Sequence, residues 1–150
     1  MTEDKKRLVR ATFARAERIP EVVGLVFYRR LFELDPALRP LFRHNIHEQS
    51  LKLMSTLKMA VESLEQTKEI LGVLQSLGRR HIQYGVKEEH YDTVGTALLW
   101  ALEQSLGDDF SPSAHTAWSE LYSQIADIMK DAARAASQSF DTSRFFAPRP

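Results

Sequence analysis

The sequence predicts an all-α protein, on three observations. Apolar residues recur at helical spacing along nearly the whole chain, strict apolar/polar alternation is absent, and glycine and proline number only 6 each in 150 residues. That is too little punctuation for many short strands. The breaks then divide the chain. A first amphipathic segment ends near Arg18, and Pro20 opens a second helix, its missing N–H costing nothing at the first position. Asp35-Pro36 repeats the signal as a cap followed by proline and predicts a further helix. Asn45, with Glu48 three residues on, resembles a capping box. It starts a segment whose apolar positions Leu53, Leu57, Val61 and Leu64 keep one face.

The triplet Glu65-Gln66-Thr67 marks another boundary. The helix that follows from about Thr67 is predicted to end where Gly85 supplies a left-handed residue, and the next runs from about Lys87 to Leu106 and stops at Gly107. Ser111-Pro112 opens the last. It carries Trp118, Leu121, Tyr122, Ile125, Ile128 and Met129 on one face before thinning near Ala136. The remainder, SQSFDTSRFFAPRP, shows no periodicity, and such polar, proline-terminated ends are mobile as a class. No internal repeat or interdomain linker is evident.

Length and composition limit the function. A chain of 150 residues suits one domain that buries roughly two-thirds of its unfolded surface, and leaves no room for a second catalytic domain. Lys+Arg and Asp+Glu are 20 each, so no long-range field draws the protein to nucleic acid or an anionic membrane. The absence of cysteine excludes a disulfide framework, an iron–sulfur cluster and a thiol nucleophile. With no apolar run of signal-peptide length and none near the ~20 residues of a membrane helix, a cytoplasmic protein is expected.

Residues able to carry chemistry are few. Leu74, Leu77, His81 and Tyr84 fall on one helical face. A histidine on an apolar stripe suits an axial haem ligand, because its neutral nitrogen points into a water-poor slot; the spacing equally allows a core histidine satisfied by a backbone carbonyl. Gln49 lies on the stripe of Leu53 and Leu57, and Tyr28 on that of Leu25, Leu31 and Phe32. Each polar group needs a partner if buried, and each taken singly is ordinary for a helical core. His44 and His47 have metal-compatible spacing, but no cysteine or second histidine pair completes a zinc site. His90 and His115 are expected at the surface. Arg79 and Arg80 could reach propionates or simply be solvated. No phosphate loop, nucleophile elbow or HExxH motif supports a hydrolase or kinase.

One joint pattern is more specific. Phe27-Tyr28, Leu34-x-Pro36-x-Leu38-x-x-Leu41-Phe42, Gln49, Leu53, Leu77-x-x-x-His81, His90-Tyr91-x-x-Val94-Gly95 and Ala117-Trp118-x-x-x-Tyr122 together resemble the single-domain bacterial haemoglobins and the globin domain of flavohaemoglobins, from about residue 5 to about 130. The resemblance implies a three-over-three globin fold over residues 1–137, with 138–150 as a tail, and haem b as cofactor. It implies that His81 binds the iron, Phe42 packs on the haem plane, Leu53 and Val94 wall the pocket, and Tyr28 and Gln49 form the distal pair. If those two donors contribute about 1.5 kcal/mol each, oxygen loss slows by roughly two orders of magnitude. There is one departure. Tyr91 matches a tyrosine that orients the proximal histidine with a glutamate of the last helix, but Ala133 stands where that glutamate would fall, which removes its electron push.

The resemblance thus implies a protein binding dioxygen tightly, along with NO and CO, as carrier, store or scavenger. The alternative is a nitric oxide dioxygenase served by a separate reductase, since no flavin or nicotinamide domain is present. A haem-free helical interaction or sensor module is the third reading, and would give a colourless protein.

Overall fold

The computed structural model describes the backbone of residues 1–42, 45–64 and 68–146, and the side chains of these except at 69 and 138–146. The α-helices headed by Pro20, Ile46, Glu88 and Pro112 begin where their sequence signals stand. α1 (Glu3–Ala16) is capped by Thr2, whose hydroxyl accepts from the Lys5 N–H at 3.2 Å. α2 (Pro20–Leu34) has proline in its first turn. Asn45 Oδ1 accepts from the Glu48 N–H at 2.9 Å to start α3 (Ile46–Glu62), and Ser111 Oγ accepts from the Ala114 N–H at 3.1 Å at the head of α6 (Pro112–Phe146). Between them lie α4 (Lys68–Gln83) and α5 (Glu88–Leu106). Gly85 has φ 87°, the left-handed value that only glycine adopts cheaply. The boundary expected at residues 65–67 lies outside the described residues.

Three expectations need correction. Asp35-Pro36 starts only a short 3₁₀ turn, Pro36–Leu41, because Pro40 lies inside it and cannot donate the N–H an α-turn requires. Leu25 is 50% exposed and does not share the buried face of Tyr28; that face is Val23, Gly24, Phe27 and Leu31. Tyr84 is 57% exposed, since α4 ends at Gln83 before it. In addition α6 continues to Phe146, beyond the fading periodicity at Ala136; no glycine or proline interrupts residues 137–146, so nothing in the sequence stops the backbone.

α1, α3 and α4 lie over α2, α5 and α6: α2 packs on α5 and α3, α4 on α6, and α1 on α6. The main core joins α1, α2, α3, α5 and the start of α6 around Trp118, Leu31, Leu102, Val9 and Val23. Trp118 Nε1 donates to the buried Thr12 hydroxyl at 2.6 Å, which donates onward to the Leu8 carbonyl, so the buried indole is satisfied. A second, smaller cluster of Tyr91, Ala126 and Met129 holds Leu77 of α4 against α6. Among the described residues α4 has almost no packing with α3. No described helix is long and apolar enough to cross a membrane.

Candidate functional site

The first half of the site is made where α2 crosses α3. A Cβ on Gly24 would lie 1.9 Å from Ser50 Oγ and 3.0 Å from Ser50 Cα, so only glycine allows this approach. Tyr28 sits one turn beyond Gly24, and Gln49 beside Ser50, and the crossing therefore brings them together. The Tyr28 hydroxyl lies 3.2 Å from the Gln49 carbonyl oxygen and 3.4 Å from its Oε1. Tyr28 is 4% and Gln49 7% exposed. Burial raises the Tyr28 pKa far above the usual phenol value, so the hydroxyl keeps its proton and remains a donor. Phe42 packs edge-on to Tyr28, ring centroids 5.3 Å apart.

The second half is on α4. A Cβ on Gly78 would come within 2.4 Å of the Met129 carbonyl oxygen, so glycine lets α4 lie directly on the α6 backbone. His81 follows one turn later, half-buried. Its Nδ1 is 2.8 Å from the Leu77 carbonyl oxygen. A carbonyl only accepts, so Nδ1 carries the hydrogen and Nε2 keeps its lone pair for a metal. Burial, with a smaller contribution from Arg80, lowers the imidazole pKa against the opposing Leu77 hydrogen bond, which favours the neutral, ligating form. The Tyr91 ring stacks on that of His81 at 6.4 Å.

Phe42, Leu53, Leu77 and Val94 are half-buried apolar groups at the margins of the two clusters. A half-exposed apolar lining, an imidazole with a free lone pair, and α4 set apart from α3 fit a flat apolar ring carrying an iron ion. The remaining sequence candidates do not join them. His47 pairs with Glu21 at 2.7 Å on the surface, and His44 lies outside the described residues. His90 Nδ1 accepts from the Lys87 N–H at 2.9 Å, capping α5, while His115, Arg79 and Arg80 are exposed. Among the described residues no cluster of three or more His, Cys, Asp or Glu could hold a metal. Sequence reasoning missed Gly24, Ser50 and Gly78. Helix-interior glycines were its one available signal, because each costs stability unless close packing requires it.

An all-helical fold of this order, with a histidine able to ligate on α4 and a buried tyrosine–glutamine pair where α2 crosses α3, fits the class of haem-dependent gas-binding proteins. The globin family model matches residues 25–129, and the chain belongs to the globin family. Neuroglobin of Danio rerio is 31% identical over 143 residues, covering 86% of this chain and 90% of that protein. A flavohemoprotein of Chromobacterium violaceum is 30% identical over 133 residues; the match covers 86% of this chain but only 33% of the relative. The structure of a bacterial globin from Campylobacter jejuni superposes with a TM-score of 0.79 at 25% identity, covering 91% of this chain and 99% of that one. The protein is a haem-binding globin that takes diatomic gases, dioxygen among them.

Proposed function

We propose that the protein holds dioxygen tightly and releases it slowly, with His81 as proximal ligand of haem b and Tyr28 and Gln49 as the donors to the gas. The observation that supports this most is the buried Tyr28–Gln49 contact. His81 would hold haem, which when bound would supply an iron able to take a diatomic gas. A hydroxyl has one proton to give. While Tyr28 donates to Gln49 Oε1, the amide Nε2 hydrogens are left facing elsewhere, so in that arrangement the tyrosine orients a second donor, and with its proton turned the other way it is the donor itself. Both bonds from Tyr28 are long, so turning its proton toward a ligand sacrifices little. Phe42, Leu53 and Val94 keep water from the gas, and the Leu77 carbonyl fixes the His81 tautomer.

Residues 1–137 form the functional domain in this reading, with 138–150 an appendage to it, and the protein acts in the cytoplasm as carrier, store or scavenger. A separate reductase would serve to keep such an iron ferrous. The flavohemoprotein relative favours a second reading, nitric oxide dioxygenase activity with an external electron donor. Stopped-flow dissociation of dioxygen from the reconstituted ferrous protein tests the first: slow release supports it, and release as fast as from a haem pocket without donors overturns it. Sustained nitrate formation with a reductase would establish the second.

A further inference from the structure

A cavity of about 360 Å³ lies between α4, α5 and α6, within the range that small-molecule sites occupy. Its inner wall is Gly78, Val86, Tyr91 and Ala133; its outer edge carries Lys87, Glu88, Lys130 and Arg134. Tyr91 is only 8% exposed, and its buried hydroxyl has no hydrogen-bond partner. An orphan buried hydroxyl is rare and costly, and one that lines a cavity asks for an acceptor inside it.

The rim selects the acceptor. Arg134 grips Glu88 through both carboxylate oxygens and also reaches Asp131 at 3.2 Å, so Glu88 is neutralised. Lys130 is only loosely held by Asp127, at 3.7 Å, and Lys87 has no ion pair among the described residues. Among the residues that line the cavity Lys87, Lys130 and Arg134 outnumber Glu88, while Asp127 and Asp131 stand outside the lining, so cationic side chains face an apolar wall. We propose that this cavity binds a small carboxylate with an apolar body, one oxygen accepting the Tyr91 hydroxyl and the charge balanced by Lys87 and Lys130. A charged acceptor makes the stronger hydrogen bond, and Ala133 leaves the space its body fills. The site stands independently of the gas reading, although Tyr91 lies on the His81 ring.

The test is calorimetric titration of the haem-loaded, carbon monoxide-bound protein with benzoate, which keeps the probe off the iron. Benzyl alcohol serves as the uncharged control and inorganic phosphate as the anion without an apolar body. Saturable one-to-one benzoate binding is expected, with a Kd on the order of 1 mM or tighter, accompanied by shifts of the Tyr91 and His81 ring resonances in NMR spectra. Tyr91→Phe should weaken it by about tenfold and Lys87→Gln/Lys130→Gln by severalfold. Ala133→Leu, which fills the wall and leaves the hydroxyl, should abolish it. No saturable binding, equal binding of benzyl alcohol or phosphate, or benzoate affinity unchanged in both Tyr91→Phe and Ala133→Leu would each overturn the assignment and leave an ordinary solvated cavity.

Discussion

Replacing Tyr28 by Phe removes one oxygen atom and keeps the ring against Phe42 and Phe27. Gln49 Oε1 then loses its donor at 3.4 Å, and a buried acceptor without a partner costs about 1 kcal/mol of stability. For gas release the arithmetic differs. Losing a hydrogen bond of about 1.5 kcal/mol to the ligand raises the off-rate roughly tenfold, and Gln49→Leu should do about the same. Two independent donors would give roughly a hundredfold in the double variant. A tyrosine that also orients the amide makes the two effects overlap, so the double variant should fall short of the product by about three- to fivefold, a coupling of ~0.6–1 kcal/mol. Stopped-flow dioxygen dissociation from all four proteins measures the cycle, and urea unfolding of each reports its stability. An off-rate within twofold of wild type in Tyr28→Phe, alongside the expected stability loss, would leave Tyr28 a core residue only. A full product in the double variant would refute the relay while keeping two separate donors.

Gly24→Ala forces its new Cβ into Ser50 and should cost about 1–3 kcal/mol in urea unfolding; by parting Tyr28 from Gln49 it should also speed dioxygen release, and unchanged release would detach the crossing from the site. His81 has a lowered folded-state pKa, so its stabilisation is complete above the ordinary histidine value of about 6.5 and is lost as pH falls through the folded value. Haem retention, followed by the Soret band, should therefore persist below pH ~6.5 and fail further down; release at or above that value would contradict the burial argument. His81→Gly should lose haem and regain it with millimolar imidazole, whereas retention without imidazole would remove His81 from the iron. Tyr91→Phe deletes an unpartnered hydroxyl and should leave stability unchanged or raise it by up to ~1 kcal/mol in urea unfolding; a clear loss would mean that the hydroxyl has a partner in solution.

What the sequence carries well is anything decided within one turn of helix. Pro20, Asn45, Gly85 and Ser111 act on their own neighbours, so the starts of α2, α3 and α6 and the end of α4 were legible, as was the apolar setting of His81 and Gln49. What it carries poorly is pairwise. That Tyr28 meets Gln49 depends on Gly24 meeting Ser50, residues 26 apart whose fit is a property of two surfaces. Likewise the orphaned Tyr91 hydroxyl and the cavity beside Ala133 exist only once three helices have closed around them. Leu25 and Tyr84 were misplaced for a related reason: helical spacing groups residues on a face, but the partner helix decides how wide the buried part of that face is.

The one-sided attachment of α4 has a consequence for how the protein opens. Trp118 and Thr12 staple α6 to α1 across the main core, while α4 rests on α6 through the small cluster around Met129. Among the described residues α4 thus depends chiefly on one neighbour, whereas every other α-helix packs on at least two. In the haem-free protein, amide protons of α4 should exchange with solvent through local openings before those of α1, α2 and α5, and with His81 as the proposed iron ligand the cofactor should pull α4's exchange toward the global rate. Haem is in that sense the interdomain bond of a single domain.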